Sequence, residues 1–467
     1  MTKQIRDISL FALLILCTRI PFLFDGYGSE EDAWAIPLVV ERIATSGIYE
    51  ASRLPGHPVQ ELIYSAVWNS GSIFFNLLTA LISTLGILAF TLLLKNLNIK
   101  NAYWCGLALA FTPIVYINSS NAMDYTWAMA FILISGFYIS KKNILLAGGM
   151  LALAIGCRIT SGAMFLPYAI LLWEISSKEE RQKNVLLFLS SGFLFSLIVM
   201  SPVLVVYGKS FFTYYEHFPL PGLAKNVYKG TVAVWGLPAC IVLLYYGLSI
   251  LRKRKVEQVI FFDNKPISGT LLYISSIVIL LYSISFIRLP LKAAFIIPIC
   301  PFLILMFALL LKEKSFKILT LSFVFSCFFF GINLADPQRG SGQSWAAKTF
   351  DLAGDKIVFD PLMGLVLADQ NKRVLRTSFS KKILHYTQTL KDKTVILAGW
   401  WNADLLVLSR EFPNKNVTIK HYIDESELKF LTLQNFKIFY IEDQNRYNDL
   451  RFNQKVTDHY AKKLPIN

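Results

Sequence analysis

Charged residues are scarce in this chain of 467 residues. They make up 16% of the sequence, whereas hydrophobic residues make up 54% and the mean hydropathy is +0.49. A soluble protein of this length carries more charge and fewer apolar residues. The sequence therefore predicts an integral membrane protein.

Cysteine motifs and nucleotide-binding motifs are also missing. The six cysteines lie in or beside apolar runs without a C-x-x-C, which argues against disulfides and against a thiolate metal site. The polar C-terminal region has no G-x-G-x-x-G and no G-x-x-x-x-G-K, so we predict no nucleotide there. Before that region, the basic residues cluster in short turns between apolar runs. This pattern is typical of membrane topology, and we expect no nucleic acid as a partner despite the net charge of +15.

Apolar runs long enough to cross about 30 Å of hydrocarbon recur up to about residue 334 and then stop. We predict a polytopic α-helical membrane domain in residues 1–335, with about eleven transmembrane helices, and a soluble α/β domain in residues 336–467. The predicted spans are approximately 8–24, 72–94, 102–118, 124–140, 144–157, 160–175, 185–207, 231–251, 268–287, 293–311 and 318–334.

The distribution of basic residues predicts the orientation. With the N-terminus in the cytoplasm, 17 basic residues fall on the cytoplasmic side and about 9 on the other side. An odd number of spans then places the C-terminal domain outside. We expect a multi-pass protein of a bacterial cell (inner) membrane, with this domain periplasmic or extracellular. No small-x-small site follows residues 1–24, which predicts an uncleaved first span.

The C-terminal region alternates β-rich segments with amphipathic helical ones. This alternation predicts a small α/β domain with a largely parallel sheet. The strand candidates are residues 356–360, 394–398, 417–422 and 437–441. The helix candidates lie near residues 361–371, 380–390, 402–411, 425–434 and 445–451.

The first long loop concentrates acidic residues. Residues 1–335 hold 16 Asp and Glu, and seven of them fall between positions 25 and 61. They are Asp25, Glu30, Glu31, Asp32, Glu41, Glu50 and Glu61. So many carboxylates at one membrane face indicate chemistry or the binding of a cationic group. This loop is the predicted location of the active site.

Glu31 and Asp32 are the candidate catalytic carboxylates. Grouped carboxylates raise one another's pKa, and the membrane face lowers the dielectric, which suits one of them to act as a general base. A structural interpretation is also open. Ser29 and Asp32 have the S-x-x-D spacing of a capping box, and acids in a first helical turn complement the helix dipole. The two interpretations are compatible, because a cap would fix the backbone that presents the carboxylates.

Arg53 and His57 lie in a turn made rigid by Pro55, Gly56 and Pro58, where the chain enters the second predicted span. The turn holds both side chains in fixed directions. Arg53 is a candidate for binding a phosphate or a carboxylate, and its alternative role is that of a headgroup anchor.

Four further candidates lie at the ends of predicted spans. Asp124 begins the fourth span, where an ionisable group is costly and usually has a partner, with helix capping as the alternative. Arg158 lies between two apolar runs and is a candidate partner for an acid or a phosphate. Arg288 and Lys292 lie at the outer end of a long span, where a lipid phosphate needs a cation; for Lys292, snorkelling is the alternative.

The order of these motifs resembles the membrane glycosyltransferases of the GT-C fold, the superfamily of protein O-mannosyltransferases and bacterial lipid A aminoarabinose transferases. The matching positions are Glu31-Asp32, residues 53–58, Asp124, Arg158 to Thr160, and Lys292 with residues 295–301. The resemblance covers roughly residues 1–335. Two positions depart from the family pattern: the acidic pair reads Glu-Asp instead of the frequent Asp-Glu, and Phe295 stands where Tyr is common.

The resemblance implies transfer of a sugar from a polyprenyl-phosphate carrier to an acceptor hydroxyl on a lipid, glycan or protein, with inversion at the anomeric carbon. It implies that Asp32, with Glu31 as second choice, is the general base. The residues expected to bind the donor and its lipid phosphate are Arg53, His57, Asp124, Arg158, Arg288 and Lys292. No cofactor and no metal ligands are assigned, although a divalent metal stays open. The expected partners are the lipid-linked donor, an unidentified acceptor and membrane lipids.

Two other functions stay open. A transporter of a lipid-linked or anionic substrate would place charges near mid-membrane, with broken helices and paired halves. Here the charges lie at span ends, and no internal repeat is visible. A non-catalytic membrane scaffold is the other alternative, which the inverted Glu-Asp order keeps open.

Overall fold

Helices dominate the chain up to residue 328, and a small α/β region follows. The structure is a computed structural model that describes residues 3–208, 221–252, 266–334, 344–352, 355–441 and 459–465. The α-helices of the first part are Lys3–Arg19, Glu31–Ser46, Pro58–Ser65, Gly71–Asn96, Ala102–Ala110, Pro113–Asn118, Tyr125–Ser140, Ile144–Cys157, Phe165–Ile175, Arg181–Tyr207, Leu223–Gly230, Val232–Trp235, Leu237–Arg252, Pro266–Arg288, Cys300–Leu310 and Glu313–Phe328. Short 3-10 helices are Ile20–Phe22, Trp68–Ser70, Ile159–Met164 and Ala293–Ile299.

Within the described ranges, four helical segments are long and apolar enough to cross a membrane. They are Trp68–Asn96, Arg181–Tyr207, Ile267–Arg288 and Ala293–Leu310. A fifth span results if Leu223–Trp235 and Leu237–Arg252, which meet at 95°, form one broken span. Shorter apolar helices are Tyr125–Ser140, Ile144–Cys157 and Ile159–Ile175. The fold is mostly helical with four candidate membrane spans in the described ranges, and the predicted number of about eleven spans is not confirmed.

The predicted span 102–118 shows one reason why fewer helices are long enough to cross a membrane than the sequence predicts. It divides into Ala102–Ala110 and Pro113–Asn118, with Thr112 in an extended conformation between them. Pro113 has no backbone N–H and disfavours the helical conformation of the residue before it. Apolar composition continues through this break, so length and hydropathy alone do not detect it.

Close helix packing builds the core of the first part. Tyr125–Ser140 packs between Gly71–Asn96 and Ile144–Cys157, and the latter packs against Arg181–Tyr207. At this last crossing, Gly148 lies against Ser191 and Gly192. A Cβ atom on Gly148 would lie 2.9 Å from the Gly192 backbone nitrogen, too close for an unstrained contact. The glycine therefore permits the close approach of the two helices.

The C-terminal region contains two sheets among the described residues. The parallel sheet has the strand order Val417–Lys420, Thr394–Leu397, Lys437–Tyr440, Lys462–Lys463. The antiparallel sheet has the order Gly331–Asn333, Asp355–Asp360, Lys348–Leu352. The helices of the C-terminal region are Leu365–Thr387, Asn402–Leu408 and Glu425–Leu433, and a short 3-10 helix covers Gly399–Trp401.

The four predicted strands are confirmed, and the sheet around Thr394–Leu397 is parallel as expected. The strand at 356–360 does not join that sheet. It pairs instead with Gly331–Asn333, which directly follows the last helix of the first part. The predicted helices 361–371 and 380–390 are one helix, Leu365–Thr387. The predicted helix 445–451 lies outside the described residues.

The C-terminal region docks on the acidic loop. We call Glu31–Ser46 the loop helix and Leu365–Thr387 the domain helix. Arg373 of the domain helix is buried and donates hydrogen bonds to the carbonyls of Phe22 (3.3 Å), Ser120 (2.6 Å) and Ile117 (3.2 Å). Asn402–Leu408 packs along the loop helix. The C-terminal region therefore covers part of the first loop.

Gly148 and its neighbour Gly149 offer a matched test of the helix crossing. A Cβ on Gly149 would meet Phe195 at 3.8 Å, an ordinary contact. Alanine improves helix propensity at both positions by about 1 kcal/mol, but overpacking costs about 1–3 kcal/mol. We expect Gly148→Ala to lower the unfolding temperature of the detergent-purified protein and Gly149→Ala to leave it unchanged or raise it. Equal shifts would contradict the close approach at Gly148.

Candidate functional site

The seven acids of the first loop have separate environments. Three of them contact the C-terminal region: the Asp25 carboxylate accepts from Gln370 (3.2 Å), Glu31 lies 3.5 Å from His421 Nε2, and Glu41 pairs with Arg410. Glu50 forms an exposed pair with Arg42 at 2.7 Å. Of the remaining acids, Glu30 and Asp32 contact Lys292, and Glu61 accepts hydrogen bonds from the turn before Pro58–Ser65. The acidic cluster of the sequence is thus not one cluster in space.

The predicted capping box at Ser29 is wrong. The loop helix begins at Glu31, and its N-cap residue is Glu30, which makes no side-chain capping bond. The Ser29 hydroxyl instead donates to Asp369 of the domain helix at 2.6 Å. Glu31 and Asp32 do lie in the first turn, where their charges complement the helix dipole.

Asp32 lies among cations. Its carboxylate accepts a hydrogen bond from the Lys292 ammonium, which is also 2.5 Å from Glu30 Oε2, and it lies 3.9 Å from Arg53 Nε. Burial alone would raise the pKa of Asp32, but Lys292 and Arg53 outweigh this and hold the pKa well below its usual range. Asp32 is therefore ionised at neutral pH.

Asp124 is the second carboxylate of the site, and it pairs with two arginines. It is fully buried at the start of Tyr125–Ser140, pairs with Arg53, and lies 2.7 Å from Arg158 Nη1. Burial would raise the pKa of Asp124, but the neighbouring positive charges lower it below its usual range. Arg53 thus lies between the two carboxylates, Asp32 and Asp124, and links them in one network.

His57 is a neutral member of this network. Its Nδ1 atom lies 2.6 Å from the carbonyl oxygen of Cys157, to which it donates a hydrogen, and 3.5 Å from Asp124. Burial and the two guanidiniums lower the pKa of His57 more than Asp124 raises it. Its Nε2 atom is buried and has no hydrogen-bond partner in the part of the chain that the structure describes. His57 contributes no positive charge for a phosphate.

Arg158 lies between two aromatic rings. Its guanidinium carbon is 4.4 Å from the centre of the Tyr125 ring and 5.0 Å from that of Phe295. Cation–π attraction at these distances orients the guanidinium. Phenylalanine at position 295 supplies the ring face that this contact needs, so the departure from Tyr does not disturb it.

Glu61 fixes the turn that carries Arg53 and His57, a role that the sequence did not reveal. The buried carboxylate accepts hydrogen bonds from the Tyr49 hydroxyl (2.5 Å), the Ser52 amide (2.7 Å), the Ser52 hydroxyl (2.6 Å) and the His57 amide (3.0 Å). In the sequence, Glu61 is one of seven loop acids, and nothing in the pattern separates it from the others.

The structure brings six of the eight predicted site residues together: Asp32, Arg53, His57, Asp124, Arg158 and Lys292. Glu31 is not among them, because successive side chains on a helix point about 100° apart, and Glu31 faces His421. Arg288 is exposed at the end of Pro266–Arg288 and has no ion pair within the described residues. The catalytic and binding roles of the six stay predictions.

Metal ligation has no geometric support in the described ranges. They contain no group of three or more His, Cys, Asp or Glu side chains that could hold a metal ion. The Asp32 and Asp124 carboxylates are matched by lysine and arginine instead.

The chain matches no family model, no curated protein and no solved structure. The likeness to GT-C glycosyltransferases therefore stands on the motifs and their positions.

Asp124 is the carboxylate whose charge the network needs most. We expect Asp124→Asn to destabilise the protein by about 3–5 kcal/mol, because two guanidiniums lose their buried counter-charge. Glu50→Gln removes an exposed partner and should cost no more than about 1 kcal/mol. Thermal unfolding of the purified variants measures both effects.

The contribution of Asp124 has a defined pH window. Because folding lowers its pKa, the stabilisation is present above the unfolded-state value of about 3.9 and is lost as the pH falls further. The difference in unfolding temperature between wild type and Asp124→Asn should therefore persist at neutral pH and shrink only below about pH 4. A difference that vanishes near neutrality would contradict the assignment.

Proposed function

We propose that this protein is a membrane glycosyltransferase that moves a sugar from a polyprenyl-phosphate carrier to an acceptor hydroxyl. One observation supports this most strongly. The ionised carboxylate of Asp32 directly contacts the ammonium of Lys292 and lies beside Arg53, at the same end of the helices as Asp124 and Arg158. One site thus holds a carboxylate able to accept a proton and cations able to bind a phosphate, which are the two groups that the proposed transfer uses.

The donor phosphate would bind by exchanging partners within this network. Lys292 is partly exposed, with 26% of its side chain accessible, so an anion reaches it. A phosphate that pairs with Lys292 competes with Asp32 for the ammonium. The pKa of Asp32 then rises from its depressed value toward the operating pH, which makes the carboxylate a better base in the donor complex than in the free protein.

In the proposed reaction, Asp32 accepts a proton and the cations stabilise the departing phosphate. The acceptor oxygen forms a bond to the anomeric carbon on the face opposite the phosphate, and its proton passes to Asp32. The carbon–oxygen bond to the phosphate breaks, and its electron pair stays on the departing polyprenyl phosphate. Lys292 and Arg53 stabilise that negative charge. Asp124, Glu61 and the rings of Tyr125 and Phe295 act as positioning residues for the cations.

The assignment of Asp32 as the base has a matched control in the neighbouring residue, Glu31. In lipid nanodiscs with labelled polyprenyl-phosphate sugars, we expect release of polyprenyl phosphate by the wild type, on transfer to an acceptor or to water. Asp32→Asn should reduce this rate by about 10²- to 10⁴-fold, the usual contribution of a general base. Glu31→Gln should retain most activity, because Glu31 faces His421.

Two results of this assay would count against the proposal. Full activity in Asp32→Asn would defeat the assignment of the base. No turnover with any polyprenyl-phosphate sugar, under conditions in which the protein binds the lipid phosphate, would defeat the transferase and favour a non-catalytic scaffold.

We also place the C-terminal region and the candidate site on the outer face of a bacterial cell membrane. The excess of basic residues in the opposite connections supports this orientation. A membrane-impermeant maleimide added to intact cells should label Ser426→Cys in the exposed start of Glu425–Leu433. It should not label Lys142→Cys, an exposed position in the turn after Tyr125–Ser140. The reverse labelling pattern would overturn the orientation.

A transporter is the second candidate, and one observation favours it. The helices Leu223–Trp235 and Leu237–Arg252 meet at 95°, and broken helices occur at transporter binding sites. A transporter of the lipid-linked sugar would move the donor between leaflets of sealed vesicles and leave the sugar–phosphate bond intact. Recovery of cleaved polyprenyl phosphate distinguishes the transferase from it.

A further inference from the structure

A cavity of about 210 Å³ lies between the first loop and the C-terminal region. The start of the loop helix forms one wall with Ser29 and Glu30. The end of Pro113–Asn118 and the turn after it form a second wall with Asn118 and Asn121, and the domain helix forms a third with Asp369 and Lys372. We call this space the interdomain cavity.

Two buried amide groups open on the interdomain cavity without full partners. Asn118 is 5% exposed; its Nδ2 donates to the Ile114 carbonyl at 2.8 Å, and its Oδ1 accepts no hydrogen bond from the described residues. Asn121 is 6% exposed; its Oδ1 accepts from the Met123 amide at 3.2 Å, and its Nδ2 donates to none of them. Neither atom is among the fully buried atoms that lack a hydrogen-bond partner, so both are accessible from the cavity and available to a polar ligand.

The lining selects the chemistry of that ligand. The walls offer hydrogen-bond acceptors (Glu30 and Asp369), a donor in the Asn121 amide, and apolar surface from Ile117, Met123 and Leu365. A phosphate would meet three carboxylates, those of Glu30, Asp360 and Asp369, and a lipid chain would meet several polar groups. A sugar ring has hydroxyls that both donate and accept, with C–H groups between them, and matches such a mixed wall.

The interdomain cavity reaches the candidate base through one ammonium group. Glu30 lines the cavity, and its Oε2 atom is 2.5 Å from Lys292 Nζ, which hydrogen bonds to Asp32. We infer that the interdomain cavity binds a saccharide unit. Its use as the acceptor, with a hydroxyl presented to Asp32, rests on the proposed function. The acceptor would then be a glycan or a glycolipid held jointly by the first loop and the domain helix.

Saccharide binding can be measured without any donor. Saturation-transfer NMR with the full-length protein in nanodiscs and a panel of methyl glycosides of hexoses, hexosamines and pentoses should give signals with the wild type. Asn118→Leu and Asn121→Leu, close in size to asparagine, should weaken binding at least tenfold. Ala368→Phe, which fills the cavity from the domain helix and removes no hydrogen bond, should abolish it. The exposed Asn416→Leu is the control and should bind like the wild type.

The outcomes separate this inference from the proposed function. No signal with the wild type, or equal signals in folded Ala368→Phe and wild type, would overturn the saccharide cavity. Glycoside binding that is lost in the variants would support the cavity even if no polyprenyl-phosphate donor is cleaved. Cleavage of donor with an unchanged acceptor KM in Ala368→Phe would overturn the cavity and leave the transferase standing.

Discussion

The candidate site depends on the neutralisation of Asp124. A buried carboxylate without counter-charges is strongly unfavourable, and so are two guanidiniums that are mostly removed from water. Asp124 meets Arg53 and Arg158 at once, while His57 stays neutral beside them. This single arrangement fixes where both guanidiniums lie. Every interaction of Arg53 with Asp32, and of Arg158 with its two aromatic rings, follows from it.

Two further parts of the structure position the network, namely Glu61 and the domain helix. Glu61 gathers four hydrogen bonds from the turn before Pro58–Ser65, which fixes the backbone that carries Arg53. The domain helix contacts the same region through Asp369, which accepts from Ser29, and through Arg373, which donates to the carbonyls of Phe22 and Ser120. The C-terminal region is thus a structural part of the site. A ligand in the interdomain cavity would contact both parts of the chain together.

The free protein keeps its cations paired with its own carboxylates. The positive and negative charges of the site balance one another, and in the proposed function an anionic donor would enter it by exchange of partners. The same exchange would free Asp32 from the ammonium of Lys292 and raise its basicity when the donor is present. In the proposed reaction this order is useful, because the base becomes effective only when a sugar phosphate is bound.

Composition and local pattern determined much of this protein. Apolar length predicted a helical membrane protein, and the alternation within residues 336–467 predicted the α/β region. The acidic first loop and its rigid turn selected Asp32 and Arg53, and charge at span ends selected Asp124, Arg158 and Lys292. Other features were decided by tertiary structure. Glu31 and Asp32 point about 100° apart on one helical turn and contact different partners, His421 and Lys292. Ser29 donates a hydrogen bond to Asp369, 340 residues away. A residue's type sets which interactions it is able to make, but which partner lies within reach depends on segments far apart in sequence, and only packing in three dimensions brings those together.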